Sequence, residues 1–343
     1  MRGQAVTVLG PVPAAELGVT LMHEHVLNDC RCWWHRPKAK PRSRLACEPV
    51  NPGIIGELRM DPFVNLDNLS LDDEPLAAAE LMLAADEGCR TVVDPTCRGI
   101  GRNPEALARI SRLTGLNIIM GGGYYLEASH PPALAAMSAD DIAAELRRDA
   151  TEGVNGTGVR IGLIGEIGVS ADFTPAEQKS LRGAARAARA TGLPLMVHLP
   201  GWVRHGGRVL DLVEQEGADP HRTVLCHMNP SHDDPAYQEA LARRGAFLEY
   251  DMIGMDYWYA DQGVQCPSDE ENARAVAGLV ARGFVANLLL SQDVFLKMML
   301  TRNGGFGYAY LQRHFLPRLL RHGVSPSAIE TMMLGNPRRL FAG

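Results

Sequence analysis

Apolar residues are concentrated in eight short runs that are spaced along the whole chain. The runs are rich in valine, isoleucine and leucine, and they cover residues 20–26, 90–96, 117–123, 161–168, 194–200, 223–230, 246–254 and 287–294. Continuous apolar runs of this length are typical of strands that are buried on both faces of a parallel sheet. The pattern therefore predicts eight parallel strands.

Segments with helical periodicity lie between these runs. They are EPLAAAELMLAADEG, NPEALARISRLTG, SADDIAAELRRDATEG, TPAEQKSLRGAARAARATG, DPAYQEALARRG and SDEENARAVAGLVARG. Several begin with the Ser or Thr and acidic pair of a capping box, as in Ser138/Asp141, Thr174/Glu177 and Ser268/Glu271. Eight alternating units predict a (β/α)8 TIM barrel, because a doubly wound sheet normally has a glycine-rich phosphate turn after its first strand and none follows Val26.

We expect residues 1–343 to form a single barrel domain. The main irregularity is the long segment 27–73 between the first two strands, which contains Trp33, Trp34 and many prolines. Inserts of this length are usually functional or cover a site. Residues beyond the eighth strand predict closing helices.

Composition narrows the class of protein. The chain has 343 residues, 46% apolar content and a formal charge of −6, so it lacks the basic surface that nucleic-acid binding needs. No window of about 18 uninterrupted apolar residues predicts a membrane span. The N-terminal residues do not resemble a secretory signal, and the seven cysteines are scattered and odd in number, which favours free thiols over a disulfide framework. We therefore expect a cytoplasmic location and no nucleic-acid or membrane partner.

Ligand-type side chains occur where the predicted strands end. His23 and His25 are one residue apart, so strand alternation directs both to the same side. In a closed barrel, side chains at the carboxyl ends of the strands converge on one mouth. The full set is His23, His25, Glu166, His198, His227 and Asp293, from strands one, four, five, six and eight.

Six imidazole and carboxylate groups are more than one tetrahedral ion uses, so the set predicts two divalent ions. Zn²⁺ is the expected metal, with Mn²⁺, Co²⁺ or Fe²⁺ as alternatives. Glu166 is anionic and has two donor atoms, so it is able to bridge the pair. Such a centre activates a bridging hydroxide and polarises an electrophile, which predicts hydrolysis.

The order of these ligands resembles that of the amidohydrolase superfamily, and the surrounding residues resemble its phosphotriesterase-related branch. The motifs that carry the likeness are TLMHEHV, GLIGEIGVS, MVHLPGW, VLCHMNP, LLLSQDVF, GYAYLQRHFLPRL and NPRRLF, and they extend over nearly the whole chain. The resemblance implies that His23, His25 and Asp293 hold a buried ion. It further implies that His198 and His227 hold a more exposed ion, that Glu166 bridges the two, and that the protein is a homodimer.

The chain departs from the family pattern at the bridge. Phosphotriesterases and lactonases of this family use a carbamylated lysine, whereas the fourth strand here contains Glu166. The four lysines are Lys38, Lys40, Lys179 and Lys297, and none lies on that strand. Glutamate-bridged members of the family resemble lactone, ester or amide hydrolases.

We therefore expect a binuclear metal-dependent hydrolase that attacks a small-molecule carboxylic ester, lactone or amide with a bridging hydroxide. Asp293 is the expected catalytic base, with a purely structural ligand as the alternative. Two other functions stay open at this point: hydrolysis of phosphotriesters by the same centre, and ligand binding without turnover.

Substrate contacts are expected from the loops at the mouth. Tyr124 and Tyr125 follow strand three and offer phenols to a carbonyl oxygen, with ordinary loop packing as the alternative. Trp258 is a candidate for the pocket wall. Arg98 and Lys297 are candidates for binding an anionic substituent, with solvated surface positions as the alternative.

Overall fold

Eight parallel strands form a barrel in the computed structural model, which describes residues 3–38 and 40–343. In chain order the strands are β1 (Val19–Leu21), β2 (Cys89–Asp94), β3 (Asn117–Gly122), β4 (Leu163–Gly168), β5 (Leu195–His198), β6 (Thr223–Leu225), β7 (Phe247–Tyr250) and β8 (Leu288–Leu290). Each strand pairs in parallel with the next strand of the series. The predicted (β/α)8 architecture is confirmed.

Backbone hydrogen bonds beyond the strand ends bring the first and last strands together. The amide of Asp293 donates to the carbonyl of His23 over 3.0 Å, and the amide of His25 donates to the carbonyl of Val294 over 3.2 Å. These contacts lie past β1 and β8, at the carboxyl-terminal mouth. Closure of the barrel therefore occurs at the same place as the predicted ligands.

Helices surround the barrel. They are α1 (Ile55–Arg59), α2 (Glu74–Asp86), α3 (Pro104–Thr114), α4 (Ala139–Thr151), α5 (Pro175–Thr191), α6 (Gly206–Gln215), α7 (Pro235–Arg243), α8 (Asp269–Ala281), α9 (Leu316–Arg321), α10 (Pro326–Glu330) and α11 (Asn336–Ala342). The three predicted capping boxes are present at the starts of α4, α5 and α8. None of the helices in the described part of the chain combines the length and the apolar character needed to cross a membrane.

The helix after β5 has no counterpart among the predicted segments. Helix α6 begins with Gly206 and Gly207, and glycine is about 1 kcal/mol less favourable than alanine inside a helix. Its buried residues Val209, Leu210 and Val213 pack in the main hydrophobic core. These apolar residues recur at helical spacing, so the sequence carries a signal for this helix that the prediction missed.

Two hydrophobic layers hold the barrel. One cluster contains Met22, which follows β1, and one residue from each of the other seven strands. It also includes residues outside the strands, such as Leu17 and Phe341. The strand residues are Val93, Ile119, Leu163, Met196, Val224, Phe247 and Leu289. Alternate strand residues such as Val92, Ile118 and Leu248 belong to the larger cluster that includes the helices. The polar mouth therefore rests on a filled apolar interior.

Most of the eight predicted strands extend beyond the observed strands. Strand β8 ends at Leu290, although the apolar run continues to Val294, and β6 ends at Leu225. Residues beyond these ends remain buried because loops cover the mouth. One such cover is the 27–73 insert, which forms a short antiparallel pair, Asn28–Asp29 with Ser70–Leu71, and places Phe63 in the wall of the central cavity.

Candidate metal centre

All six predicted ligands meet at the carboxyl-terminal mouth. Glu166 lies within β4 and His198 is the last residue of β5, whereas the other four follow the ends of β1, β6 and β8. Every one of the six is buried, and the most exposed, His198 and His227, are each 8% exposed. Side chains that are far apart in sequence therefore form one enclosed cluster.

The carboxylate of Glu166 lies at the centre of the cluster. One oxygen, Oε1, is 3.4 Å from His25 Nε2, and the other, Oε2, is 3.2 Å from His198 Nδ1. The same Oε2 is 3.7 Å from both His23 Nε2 and His227 Nε2. Although burial raises the pKa of Glu166, His23 and the hydrogen bond from His198 lower it well below its usual value. The group is therefore an anion with its two oxygens directed at different histidines.

Asp293 completes one side of the cluster. Its Oδ1 is 3.6 Å from His23 Nε2 and 3.4 Å from His25 Nε2. Within the described residues, His23 Nε2 and Asp293 Oδ1 are buried and have no hydrogen-bond partner. Buried ligand-type atoms without partners are costly unless a ligand binds them. This donor set therefore fits a divalent cation, and ligand atoms of His23, His25 and Asp293 lie within 4.8 Å of one another.

His198 and His227 form the other side. His227 Nε2 is 2.7 Å from His198 Nδ1. Burial and the adjacent His227 lower the pKa of His198. Although burial lowers the pKa of His227 as well, the carboxylate of Asp251 raises it to about 10. Positive charge is thus favoured at this position, where a bound cation and a proton compete for the same imidazole nitrogens.

A second layer of side chains orients three of the histidines. Glu249 Oε2 accepts from His23 Nδ1 over 3.1 Å, and Asp251 Oδ1 accepts from His227 Nδ1 over 3.0 Å. His25 Nδ1 is hydrogen-bonded to Thr96 Oγ1 at 2.7 Å. When one ring nitrogen donates to such a partner, the other is left unprotonated and available to a metal. The outer layer therefore directs Nε2 of each ring into the cluster.

Two of the ligands adopt the left-handed backbone region. His227 has φ = 57° and Asp293 has φ = 48°, values that residues other than glycine rarely adopt. The amide of His227 donates to both carboxylate oxygens of Asp251, at 3.1 and 2.9 Å. Strain of this kind persists only where the surroundings enforce it, and it is concentrated at functional sites.

A cavity of about 590 Å³ opens above the cluster. Its wall includes five of the predicted ligands, which are His25, Glu166, His198, His227 and Asp293. Six aromatic side chains also line it: Trp33, Phe63, Tyr125, Trp202, Tyr259 and Phe295. This size is typical of small-molecule sites, and the wall is mostly apolar with a polar floor.

Of the predicted substrate contacts, Tyr125 lies at the cavity. Its hydroxyl accepts from Trp33 Nε1 over 3.2 Å and is 3.3 Å from His198 Nδ1. The phenol is therefore placed between the aromatic wall and the ligand cluster.

The other four candidates are not part of the cavity lining. Tyr124 donates to Glu145 over 2.7 Å, and Arg98 forms an ion pair with the same carboxylate at 3.3 Å. Lys297 pairs with Asp67 at 2.6 Å. Trp258 is 37% exposed, whereas its neighbour Tyr259 is turned inward. The two cations are thus satisfied by carboxylates outside the cavity.

The sequence did not indicate the orienting layer. Glu249 lies within an apolar strand, where the only available signal was the presence of a carboxylate in an otherwise apolar run. Asp251 accepts from His227 Nδ1 and lies 3.3 Å from His23 Nδ1. Glu24 accepts hydrogen bonds from the backbone amides of residues after β8.

Comparison with known proteins identifies a family and several relatives that match nearly the whole chain. The phosphotriesterase family model matches residues 3–341. A phosphotriesterase-related protein of Nematostella vectensis is 34% identical over 98% of this chain and 97% of its own length. The N-acetyltaurine hydrolase of Tetraodon nigroviridis is 33% identical over the same shares of the two chains.

A solved structure shares the whole fold. The resiniferatoxin-binding protein of Rhodobacter sphaeroides superposes with a TM-score of 0.98 at 63% identity, covering 99% of this chain and 95% of that one. The barrel, the ligand cluster and these matches together establish the relationship. The chain belongs to the phosphotriesterase family and is a hydrolase of that family.

Proposed function

We propose that the chain is a binuclear hydrolase that cleaves a carboxylic ester, lactone or amide. The observation that carries the proposal is the split geometry of Glu166, whose two oxygens face different histidines at 3.4 and 3.2 Å. His23, His25 and Asp293 would hold one divalent ion, and His198 and His227 the other. Zinc fits this nitrogen and carboxylate set, and Mn²⁺, Co²⁺ and Fe²⁺ are alternatives.

Two ions held by these ligands would supply an activated water, as a bridging hydroxide, and would polarise the substrate carbonyl. Asp293 lies at the cavity floor and accepts the proton that is released as the new bond to carbon forms. The phenol of Tyr125 donates to the carbonyl oxygen from the cavity wall. The aromatic side chains exclude bulk water and so strengthen these polar interactions.

The glutamate bridge favours carboxyl substrates over phosphotriesters in this proposal. Lysine is absent from β4, so a carbamate is not available at the bridging position. Glutamate is a shorter side chain than a carbamylated lysine, so ions held by Glu166 would lie nearer to β4. A site assembled in this way does not need carbon dioxide.

A substrate panel tests the proposal. One metal-loaded preparation is assayed with lactones, N-acyl amino acids, aryl carboxylic esters and a neutral aryl phosphotriester. Turnover of at least one carboxyl class well above the phosphotriester is expected. Turnover of the phosphotriester alone would refute the argument from Glu166, and tight binding without turnover of any class would indicate a ligand-binding protein.

A further inference from the structure

The distribution of charge in the cavity is one-sided. Outside the ligand cluster, the ionisable carboxylates that line it are Glu127, Asp172 and Glu177. Among the side chains that the structure describes, no lysine or arginine contributes to the lining. Away from the ligand cluster, the described part of the wall therefore offers no fixed cation to an anionic substituent.

The three carboxylates have different roles. Glu177 is buried, and its carboxylate accepts from the backbone amides of Glu127, Ser170 and Thr174 at 3.1 to 3.2 Å. These hydrogen bonds link the loops that follow β3 and β4. Glu127 and Asp172 are exposed at the entrance. Their charges act on any molecule that enters or leaves.

The remainder of the wall is a set of connected aromatic rings. Phe63 stacks on Trp33 with centroids 5.5 Å apart, and it contacts Tyr259 at 4.9 Å. Tyr259 in turn contacts Trp202 at 5.7 Å. Loops that follow β1, β5 and β7 thus form one apolar surface, which favours flat or bulky apolar groups.

We infer that the substrate is an uncharged carboxylic ester or lactone with an aromatic or bulky apolar group, and that anionic acyl conjugates are excluded. The inference rests on the proposed function. A substituent carboxylate or sulfonate that lies against the cavity wall, while the carbonyl lies at the ligand cluster, would lose its hydration without gaining a cationic partner, which is strongly unfavourable. It would also pass Glu127 and Asp172, which repel it.

The same charge pattern suits the product. Hydrolysis adds water across the acyl–oxygen bond, and the acid that forms loses a proton to become an anion. A neutral substrate therefore enters past Glu127 and Asp172 without repulsion, whereas the same two carboxylates favour departure of the anionic product once it has left the ligand cluster. By this inference the chain differs in preferred substrate from the N-acetyltaurine hydrolase that it resembles.

A pair of esters of nearly equal size, one neutral and one anionic, tests the inference when each rate is divided by the rate of hydroxide-catalysed hydrolysis of the same ester. The probes are 4-carbamoylphenyl butyrate, which is neutral, and 4-carboxyphenyl butyrate, which is anionic and of nearly the same size. We expect the normalised kcat/KM for the neutral ester to exceed that for the anionic ester by at least about tenfold at low ionic strength. The gap should narrow as salt shortens the Debye length from about 30 to about 8 Å.

Variants locate the effect at the entrance. In the double variant Glu127→Gln/Asp172→Asn, the ratio of anionic to neutral kcat/KM should rise several-fold. The control variant Glu105→Gln/Asp211→Asn makes the same charge change on exposed outer helices and should leave the ratio unchanged. An equal rise in both variants would show that net charge, and not the entrance, sets the preference, and would overturn the role of Glu127 and Asp172.

Equal or faster turnover of the anionic ester would overturn the inference while the hydrolase itself stands. If neither ester is hydrolysed and only the phosphotriester is, the proposed function fails. In that case, calorimetry measures the binding of the two esters to the metal-loaded protein. Tighter binding of the neutral ester would support the inferred preference for uncharged substrates, and tighter binding of the anionic ester would contradict that preference.

Discussion

Asp293 lies between two backbone amides that both donate to the buried carboxylate of Glu24. The amide of Gln292 is 3.0 Å from Glu24 Oε1, and the amide of Val294 is 2.9 Å from Glu24 Oε2. Glu24 itself lies between His23 and His25. One carboxylate therefore fixes the left-handed backbone of Asp293 relative to the two histidines that would share an ion with it in the proposed centre.

The first prediction concerns this contact. Glu24→Ala leaves buried amides near Asp293 without acceptors, so the free energy of unfolding should fall by about 3 kcal/mol. Metal affinity should fall as well, because Asp293 is no longer held. Denaturant titration of the metal-free chain and metal titration measure the two effects. The exposed control Glu105→Ala should change neither quantity, and an unchanged metal affinity in Glu24→Ala would contradict the positioning role.

The second prediction concerns the bridge. Glu166→Ala removes the group whose oxygens face both halves of the cluster, so bound metal and hydrolytic activity should be lost together. Bicarbonate during reconstitution should restore neither, because the bridge does not depend on a carbamate. Metal content by mass spectrometry, alongside activity, checks both points. A variant that retains the full metal content would show that Glu166 does not bridge.

The third prediction concerns the outer layer. Asp251→Asn removes the negative charge that accepts from His227 Nδ1 and lies 3.3 Å from His23 Nδ1, so metal affinity should fall by about 10- to 100-fold. Competition with a chromophoric chelator measures this. Asp211→Asn, on the outer surface of α6, is the matched control. Equal affinities in the two variants would refute the orienting role of Asp251.

The fourth prediction separates two adjacent tyrosines. Tyr125→Phe keeps the ring in the cavity wall but removes the phenol, so kcat should fall on the order of 100-fold while metal content is retained. Tyr124→Phe should have little effect on kcat, because its hydroxyl contacts Glu145 outside the cavity. Steady-state kinetics on a neutral ester checks both variants. Similar losses in the two would argue for a general packing defect.

The meeting of the six candidate ligands was predictable because their positions depend on strand ends. In a barrel of parallel strands, the position of a residue at a carboxyl end already determines which mouth it faces. His198 at the end of β5 and Glu166 in β4 needed no further information. The motifs around them resembled one family over nearly the whole chain, and the family match confirms that resemblance.

The substrate contacts were less predictable because they depend on how loops fold over the mouth. Sequence composition did not reveal that Lys297 and Arg98 are paired with Asp67 and Glu145. It also did not show which of Trp258 and Tyr259 faces inward. These ion-pair partners and side-chain orientations depend on tertiary packing between loops that are distant in sequence, so local sequence patterns do not predict them.

The most direct test of the account is the anomalous difference density of crystals grown from zinc-replete protein, recorded above and below the zinc absorption edge. The account predicts two peaks at the mouth of the barrel, with the carboxylate of Glu166 between them and Asp293 bound to the peak nearer His23 and His25. A single peak, an empty mouth, or a modified lysine between two peaks would contradict it.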